Sequence, residues 1–544
     1  MLPETFDLQT LRAAYAGGKC TPTALITALY PRLVAAGDIF LYLPPLDELL
    51  KRCSELESQP EAERGSLWGV PFGIKDNVDI VGMPTTAACP AFSYMPEKNG
   101  PAIAALLESG AIGVGKTNMD QFAAGLVGTR TPSATCPRSP FDSRFISGGS
   151  SSGSAAAVGS GLLTFALGTD TAGSGRVPAG LCGCVGVKPT VGSVSTVGVV
   201  PACASLDCLT VFTCNVADGV EVMRVMKSGC AGPGDVWRRP PPSSHTPSPI
   251  TAPAAAVGAE EPEGFRFGVP SPEQLDWSGP GGAALAAACA AQFEAAIARL
   301  EAAGGRRVEV DFAPLMAVAA MLYGTSFVAE RYSGIRAFLE KGQPFVAATA
   351  AEKTPGERQA AVASDERLLP VTRHIIAGSG KFTAADVYDH LAQMAVLRAR
   401  ALDELSRVDV LLVPTALTHW TVAEVVEEEC AEPPTWSRNA KLGRFTNFVN
   451  LLDMCGMSVP SGLVSYDAAV LSEDASEAER SRAAHLAATG PTSVTLPFGV
   501  TLLTRAWRDE WLWSLAAKME ALAGLKCGPA GHGVTPPEVE VVIQ

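Results

Sequence analysis

Apolar residues fall at helical spacing through the first sixty positions. The segments LQTLRAAYAGG, TPTALITALYPRLVAAG and LDELLKRCSELE each present an apolar stripe, and Thr21 ahead of Pro22 supplies a cap and a first-turn proline. From 68 to 210 the pattern changes. Short apolar runs such as VPFGIKD, IGVGK, FALGTD and CVGVKP alternate with glycine turns and helix-like stretches such as AIAALLESG. The same alternation resumes with the strand FRFGVP, the helix AALAAACAAQFEAAIARLEAAGG ending at Gly304, and the strand VEVDF. SVTLPFGVTLL reads as a further core strand. Strands alternating with helices predict an α/β sheet. Two polar interruptions stand out. Residues 231–263 are rich in proline and alanine and read as an exposed, mobile loop, and 469–490 read as an inserted surface helix. No internal repeat is visible.

Composition narrows the picture. The chain has 544 residues, 47% hydrophobic and 18% charged, enough apolar material for a large core and too much for a disordered chain. The net charge is −14 without a basic cluster, which disfavours nucleic acid and anionic membrane surfaces as partners. No run reaches the roughly 18 apolar residues of a membrane span. The N-terminus MLPETFDLQT lacks a secretory signal, so a cytoplasmic, reducing setting with free thiols is the expectation. The 14 cysteines and six histidines show no metal-ligand spacing, and Cys182 with Cys184 read as packed small hydrophobes. No metal or cofactor is expected.

The chemistry concentrates between Ser147 and Arg176, SGGSSSGSAAAVGSGLLTFALGTDTAGSGR. A glycine-serine loop (148–153) precedes a helix start, and a second turn (169–175) follows an apolar strand. Turns of small residues let several backbone N–H groups converge on one concavity, which places a serine beside oxyanion donors. The usual base for such a serine is histidine. None of the histidines at 245, 374, 390, 419, 485 and 532 lies in a suitable setting. GSSSG (149–153) matches a nucleophile elbow only loosely. The other base available is a lysine kept neutral by burial, and Lys75 lies in the apolar run VPFGIKDNVDI. Pairing of Lys75 with Asp76 is the plainer alternative. Ser151, Ser152 and Ser154 read as partners for loop and helix backbone groups.

GIKDN, GGSSSGSAAAV and GTDTAGS, in this order and with Ser150 and Ser174 24 positions apart, resemble the amidase-signature hydrolases over about residues 7–520. The resemblance implies an amidase-signature fold, a large, mixed, mostly parallel twisted β-sheet covered by helices on both faces. It implies one catalytic domain over 1–525 carrying the two insertions, with 526–544 as a short tail. Ser174 corresponds to the nucleophile, Ser150 to the bridging serine and Lys75 to the base. The backbone N–H groups of Thr171, Ala172, Gly173 and Ser174 correspond to the oxyanion hole. Where many members read GGS this chain reads Ala172-Gly173-Ser174, which backbone donors tolerate if φ at 172 is negative.

Within the family, MDQFAAGLVGTR, TDTAGSGRVPAG, VDVLLVPTALTHWTVAEV and LGRFTNFVNLLDMCG resemble the allophanate hydrolases in particular. That implies allophanate as the small-molecule substrate, cleaved at its terminal amide to ammonia and N-carboxycarbamate in urea degradation. Tyr323 and Arg331 would hold the substrate carboxylate, and the backbone of Gly125 would contact substrate. A surface pair of Arg331 with Glu330 is the plainer alternative. The resemblance also implies a homodimer and a functional link to a urea carboxylase. The C-terminal decarboxylating domain usual in those relatives is not expected in this chain. Rival readings are another small aliphatic or aryl amidase, the glutaminase-like subunit of a tRNA amidotransferase, and a non-catalytic binding protein. The acidic balance and the LGxxTNFVNLLD segment weigh against the amidotransferase.

Overall fold

The N-terminal helices form where their start signals stand. Asp7 caps Leu8–Ala16, Thr21 accepts from the amide of Ala24 at the head of Pro22–Ala35, and Leu46–Glu57 follows Pro45. The structure is a computed structural model that describes residues 6–132, 135–229, 232–242, 264–344, 354–472 and 474–529. Most of the proline- and alanine-rich interruption (243–263), most of the tail (530–544), His245 and His532 lie outside the described residues.

Eleven strands build one sheet. They are β1 (Phe40–Tyr42), β2 (Pro71–Lys75), β3 (Ile112–Thr117), β4 (Phe165–Asp170), β5 (Val185–Lys188) and β6 (Cys208–Thr213), followed by β7 (Arg266–Pro270), β8 (Arg306–Val310), β9 (Val410–Pro414), β10 (Met454–Asp467) and β11 (Ser493–Arg505). Their order across the sheet is β1-β3-β2-β4-β6-β5-β10-β11-β9-β7-β8. The sheet is mixed, and its parallel share is smaller than the strand–helix alternation implies. Among the described residues, β2 pairs in parallel with β3 and β4, and β7 with β8 and β9, while the other six pairings are antiparallel. Half of these come from the β10–β11 hairpin, whose 14- and 13-residue strands run through the middle of the sheet and impose antiparallel register on β5 and β9, and the rest from β1–β3, β4–β6 and β5–β6. The predicted surface helix forms at Glu477–Thr489, inside the connection of this hairpin, with Ser476 and Glu479 as its capping box.

Both faces of the sheet are covered, as its period of two shows. Leu167 pairs with Val211 and joins Val216, Val220 and Met223 of helix Val216–Ser228 in one core. One residue earlier, Ala166 pairs with Phe212 and packs against Ala155, Ala156, Ala179 and Cys182 of two short helices on the other side. Helix Gly282–Ala302 is long and apolar enough to cross a membrane, an exception to the sequence expectation. Here its Leu285, Cys289, Phe293, Ile297 and Leu300 are buried in the sheet core. Of the thirteen described cysteines eleven are buried, Cys20 is half-buried and Cys430 is exposed, and all are free thiols.

Parallel β2 and β4 bring their carboxyl ends, Lys75 and Asp170, to the same edge of the fold. Ligand sites of α/β sheets form at such strand ends.

Candidate active site

Lys75 is the last residue of β2 and is fully buried. Its amine lies 2.7 Å from Ser150 Oγ and 2.7 Å from Thr169 Oγ1, so both close partners are hydroxyls rather than carboxylates. Burial pushes its pKa down to about 7. The charges of Asp120, Asp207 and Asp170 oppose that shift, and Arg331 adds a smaller push in the same direction as burial. Asp76 does not pair with Lys75. It faces Lys116 at 3.6 Å and accepts from the amides of Thr86 and Ala88.

Ser150 follows a cis peptide from Gly149, and its carbonyl accepts from the amide of Asp120 at 3.0 Å. Ser151, Ser152 and Ser154 place their hydroxyls on the carbonyls of Thr169, Asn118 and Leu167. Lys75 and Ser150 are thus joined directly. Ser174, almost fully buried, stands on the neighbouring turn. Among the described residues its hydroxyl donates to the Gly125 carbonyl at 3.5 Å, the outer limit of a hydrogen bond, rather than to Ser150.

The turn that carries Ser174 is held by a pair that sequence reading did not single out. Asp170 accepts from the amides of Gly173 (2.9 Å) and Gly175 (3.0 Å) and from Arg176 Nε and Nη2 (both 2.8 Å). Burial opposes its ionisation, but the Arg176 guanidinium prevails and holds it below the usual carboxylate range. The amide of Gly173 is therefore engaged by Asp170 and is not free among the four expected oxyanion donors. Thr171, Ala172 and Ser174 remain. Ala172 has a negative φ, whereas Gly173 has φ +133°, a conformation that glycine permits. Thr171 anchors the turn from its other end by donating to Asp207, which also accepts from the amides of Ala202 and Cys203. Burial lifts Asp207 to about 6. The signal for Asp170 and Arg176 was present: an acid and a base flank one glycine turn, six residues apart.

Residues 120–130 form a second wall. Asp120 accepts from the amides of Gly128 and Arg130, and Arg130 is clamped on Glu429 with Nε–Oε1 and Nε–Oε2 both at 3.0 Å. A Cβ on Gly125 would lie 2.6 Å from Asp120 Oδ2, so the wall requires glycine there. Phe122 and Ala123 adopt left-handed φ of 51° and 54°. This strained pair aims the Ala123 carbonyl at Arg331 Nη1, 3.3 Å away.

Arg331, 4% exposed, also donates from Nη2 to Tyr323 OH at 2.9 Å, and its Nε has no partner. Glu330 turns elsewhere, accepting from the amide and hydroxyl of Ser205 at 2.7 Å each. Among the described residues no carboxylate forms an ion pair with Arg331. Tyr323 also lines an adjoining cavity of about 450 Å³, together with Trp436, Asn439, Arg444 and Asn447. No cluster of metal-ligating side chains occurs among the described residues, and Cys182 and Cys184 lie in the apolar core.

Comparison with known proteins bears on this geometry. The family model described as Amidase matches residues 41–512. The urea amidolyase of Saccharomyces cerevisiae is 38% identical over 418 residues, 76% of this chain but 20% of that protein. The chain thus spans about a fifth of that relative's length. A glutamyl-tRNA(Gln) amidotransferase subunit of Symbiobacterium thermophilum is 34% identical over 77% of this chain and 82% of its own. Among solved structures, Kluyveromyces lactis allophanate hydrolase superposes with a TM-score of 0.76 at 32% identity, covering 97% of this chain and 75% of that one.

Proposed function

The chain belongs to the amidase family and is an amidohydrolase acting on C–N amide bonds; from that premise we propose that it hydrolyses the terminal amide of allophanate through an acyl-enzyme on Ser174. Neutral Lys75 takes the proton of Ser150, and Ser150 takes that of Ser174. Ser174 Oγ then attacks the terminal carbonyl, and the amides of Thr171, Ala172 and Ser174 stabilise the oxyanion. The same relay returns the proton to the departing nitrogen, which leaves as ammonia. Water, deprotonated by the relay, cleaves the resulting ester on Ser174 and releases N-carboxycarbamate.

The observation that carries the reading is the 2.7 Å contact between the buried Lys75 amine and Ser150, with the amine shifted to about 7. A base near neutrality can accept a proton and give it back at working pH. The choice of substrate rests on Arg331, a buried guanidinium with a free Nε and no carboxylate partner among the described residues. The anionic end of allophanate would supply that partner. The match to urea amidolyases and to allophanate hydrolase supports the same choice. We extend the proposal to a functional link with a urea carboxylase that supplies the substrate.

The test is steady-state kinetics on fresh allophanate, biuret, malonamate and glutamine, with ammonia and carbon products counted separately. Allophanate should have the highest kcat/KM, and Ser174→Ala should abolish ammonia release, a loss of about 10⁶-fold when a catalytic serine is removed. Preference for glutamine would overturn the substrate and favour the amidotransferase-like reading.

A further inference from the structure

The catalytic turn has lost one expected donor, and a different group stands beside the gap. Thr446 is fully buried, and its hydroxyl has no hydrogen-bond partner. Its backbone is fixed, since its amide donates to Gly443 O at 3.1 Å and its carbonyl accepts from Arg176 Nη1 (3.3 Å) and Nη2 (3.2 Å). Its side chain lies against Gly173: a Cβ built there would run into Thr446 Oγ1 and would lie 2.7 Å from Thr446 Cβ. Arg176, which with Asp170 sets the turn, therefore also sets the position of this hydroxyl.

Arg444 and Asn447, on either side of Thr446, line the cavity that includes Tyr323, and each has an unpartnered buried atom, Nε and Oδ1 respectively. Three open polar groups thus lie on one short segment running from the cavity to the nucleophile's turn. Buried polar atoms are paired in the great majority of native structures, and an orphan at a site calls for an explanation. A hydroxyl can rotate to suit its partner, which a backbone amide cannot.

We propose that the Thr446 hydroxyl is a substrate-contacting donor that hydrogen-bonds the carbonyl oxygen of the scissile amide and takes the place left by the Gly173 amide. This rests on amide hydrolysis at Ser174 and not on the identity of the amide. Thr446 adds side-chain recognition to an otherwise backbone-built oxyanion site.

The experiment pairs two rates with one stability measurement. Thr446→Val, isosteric and without the hydroxyl, should slow both ammonia release and the second-order labelling of Ser174 by a fluorophosphonate. The expected loss is about 10²-fold or more, the scale for one oxyanion donor. Its melting temperature should hold or rise, because an unpaired buried hydroxyl is replaced by a methyl. Thr446→Ser should keep most of both rates. Thr210→Val is the packing control, since Thr210 Oγ1 is also unpartnered and lies against Gly175 of the turn, on strand β6. It should label like the wild type. Labelling of Thr446→Val within twofold of wild type would overturn the proposal. So would a falling melting temperature that accounts for the loss, or an equal loss in Thr210→Val. Because the labelling reagent needs no allophanate, a wrong substrate assignment leaves this test intact.

Discussion

Two buried guanidiniums, Arg176 and Arg331, flank the same site and are treated in opposite ways. Arg176 is wholly enclosed and meets Asp170 through two 2.8 Å hydrogen bonds, with the Thr446 carbonyl taking further donors. Around Arg331 the partners are neutral, a tyrosine hydroxyl and one carbonyl, and Nε has none. Even the adjacent Glu330 is drawn away to Ser205. A buried cation needs compensation for the hydration it has lost. The protein supplies that compensation where the cation fixes the turn. It withholds it at Arg331, where on the proposed function an anionic ligand would provide it, so on that reading charge pairing separates scaffold from binding site.

The largest effect should come from breaking the paired side. Arg176→Met leaves Asp170 buried and uncompensated, and chemical denaturation should show a loss of about 3–5 kcal/mol. A loss under about 1 kcal/mol, below the usual cost of a broken buried network, would contradict the scaffold role. Arg331→Met should do the reverse. Its kcat/KM for allophanate should drop by a factor equivalent to about 2–5 kcal/mol, while its melting temperature holds or rises. If stability fell and kinetics did not, the two roles would have to be exchanged. Occupancy sharpens the contrast further. Malonate at 100 times its Kd should stabilise the wild type by about 2.7 kcal/mol in thermal melts and leave Arg331→Met unmoved.

The smallest effect is in pH. In the proposed relay Lys75 loses its proton to act, so kcat/KM should rise with pH through about 7 and then level. Arg331 is one of the charges that keep this pKa low, so Arg331→Met should move the rising limb slightly to higher pH. A limb that does not move would place Arg331 outside the electrostatic reach of the base.

The proposed trio was legible as a candidate because its signals are local. Lys75 ends an apolar strand, and Ser150 and Ser174 sit in glycine turns whose composition announces them. What the sequence hid are partners separated along the chain. Asp207 reaches Thr171 across 36 positions, and Thr446 meets Arg176 across 270. Periodicity and turn chemistry carry no information on such pairings. The direction of the Gly173 amide was hidden for a related reason, since it depends on a side-chain carboxylate that a backbone pattern does not display. In the fold, β10 escaped because its first six residues are buried on both faces and so lack alternation. With it went the hairpin that contributes three of the six antiparallel pairings.

The distribution of sulfur has a practical consequence. With eleven of thirteen described thiols enclosed and Cys430 exposed, a maleimide added to the native protein meets Cys430 first among the described thiols. An adduct on any of the eleven buried thiols then records a stretch of chain that has opened. Cys53 and Cys455 report on one core, Cys182, Cys184 and Cys527 on another, and Cys89 on a third. Mass spectrometry of timed alkylation would therefore follow the breathing of separate layers in the unaltered enzyme, without an introduced probe.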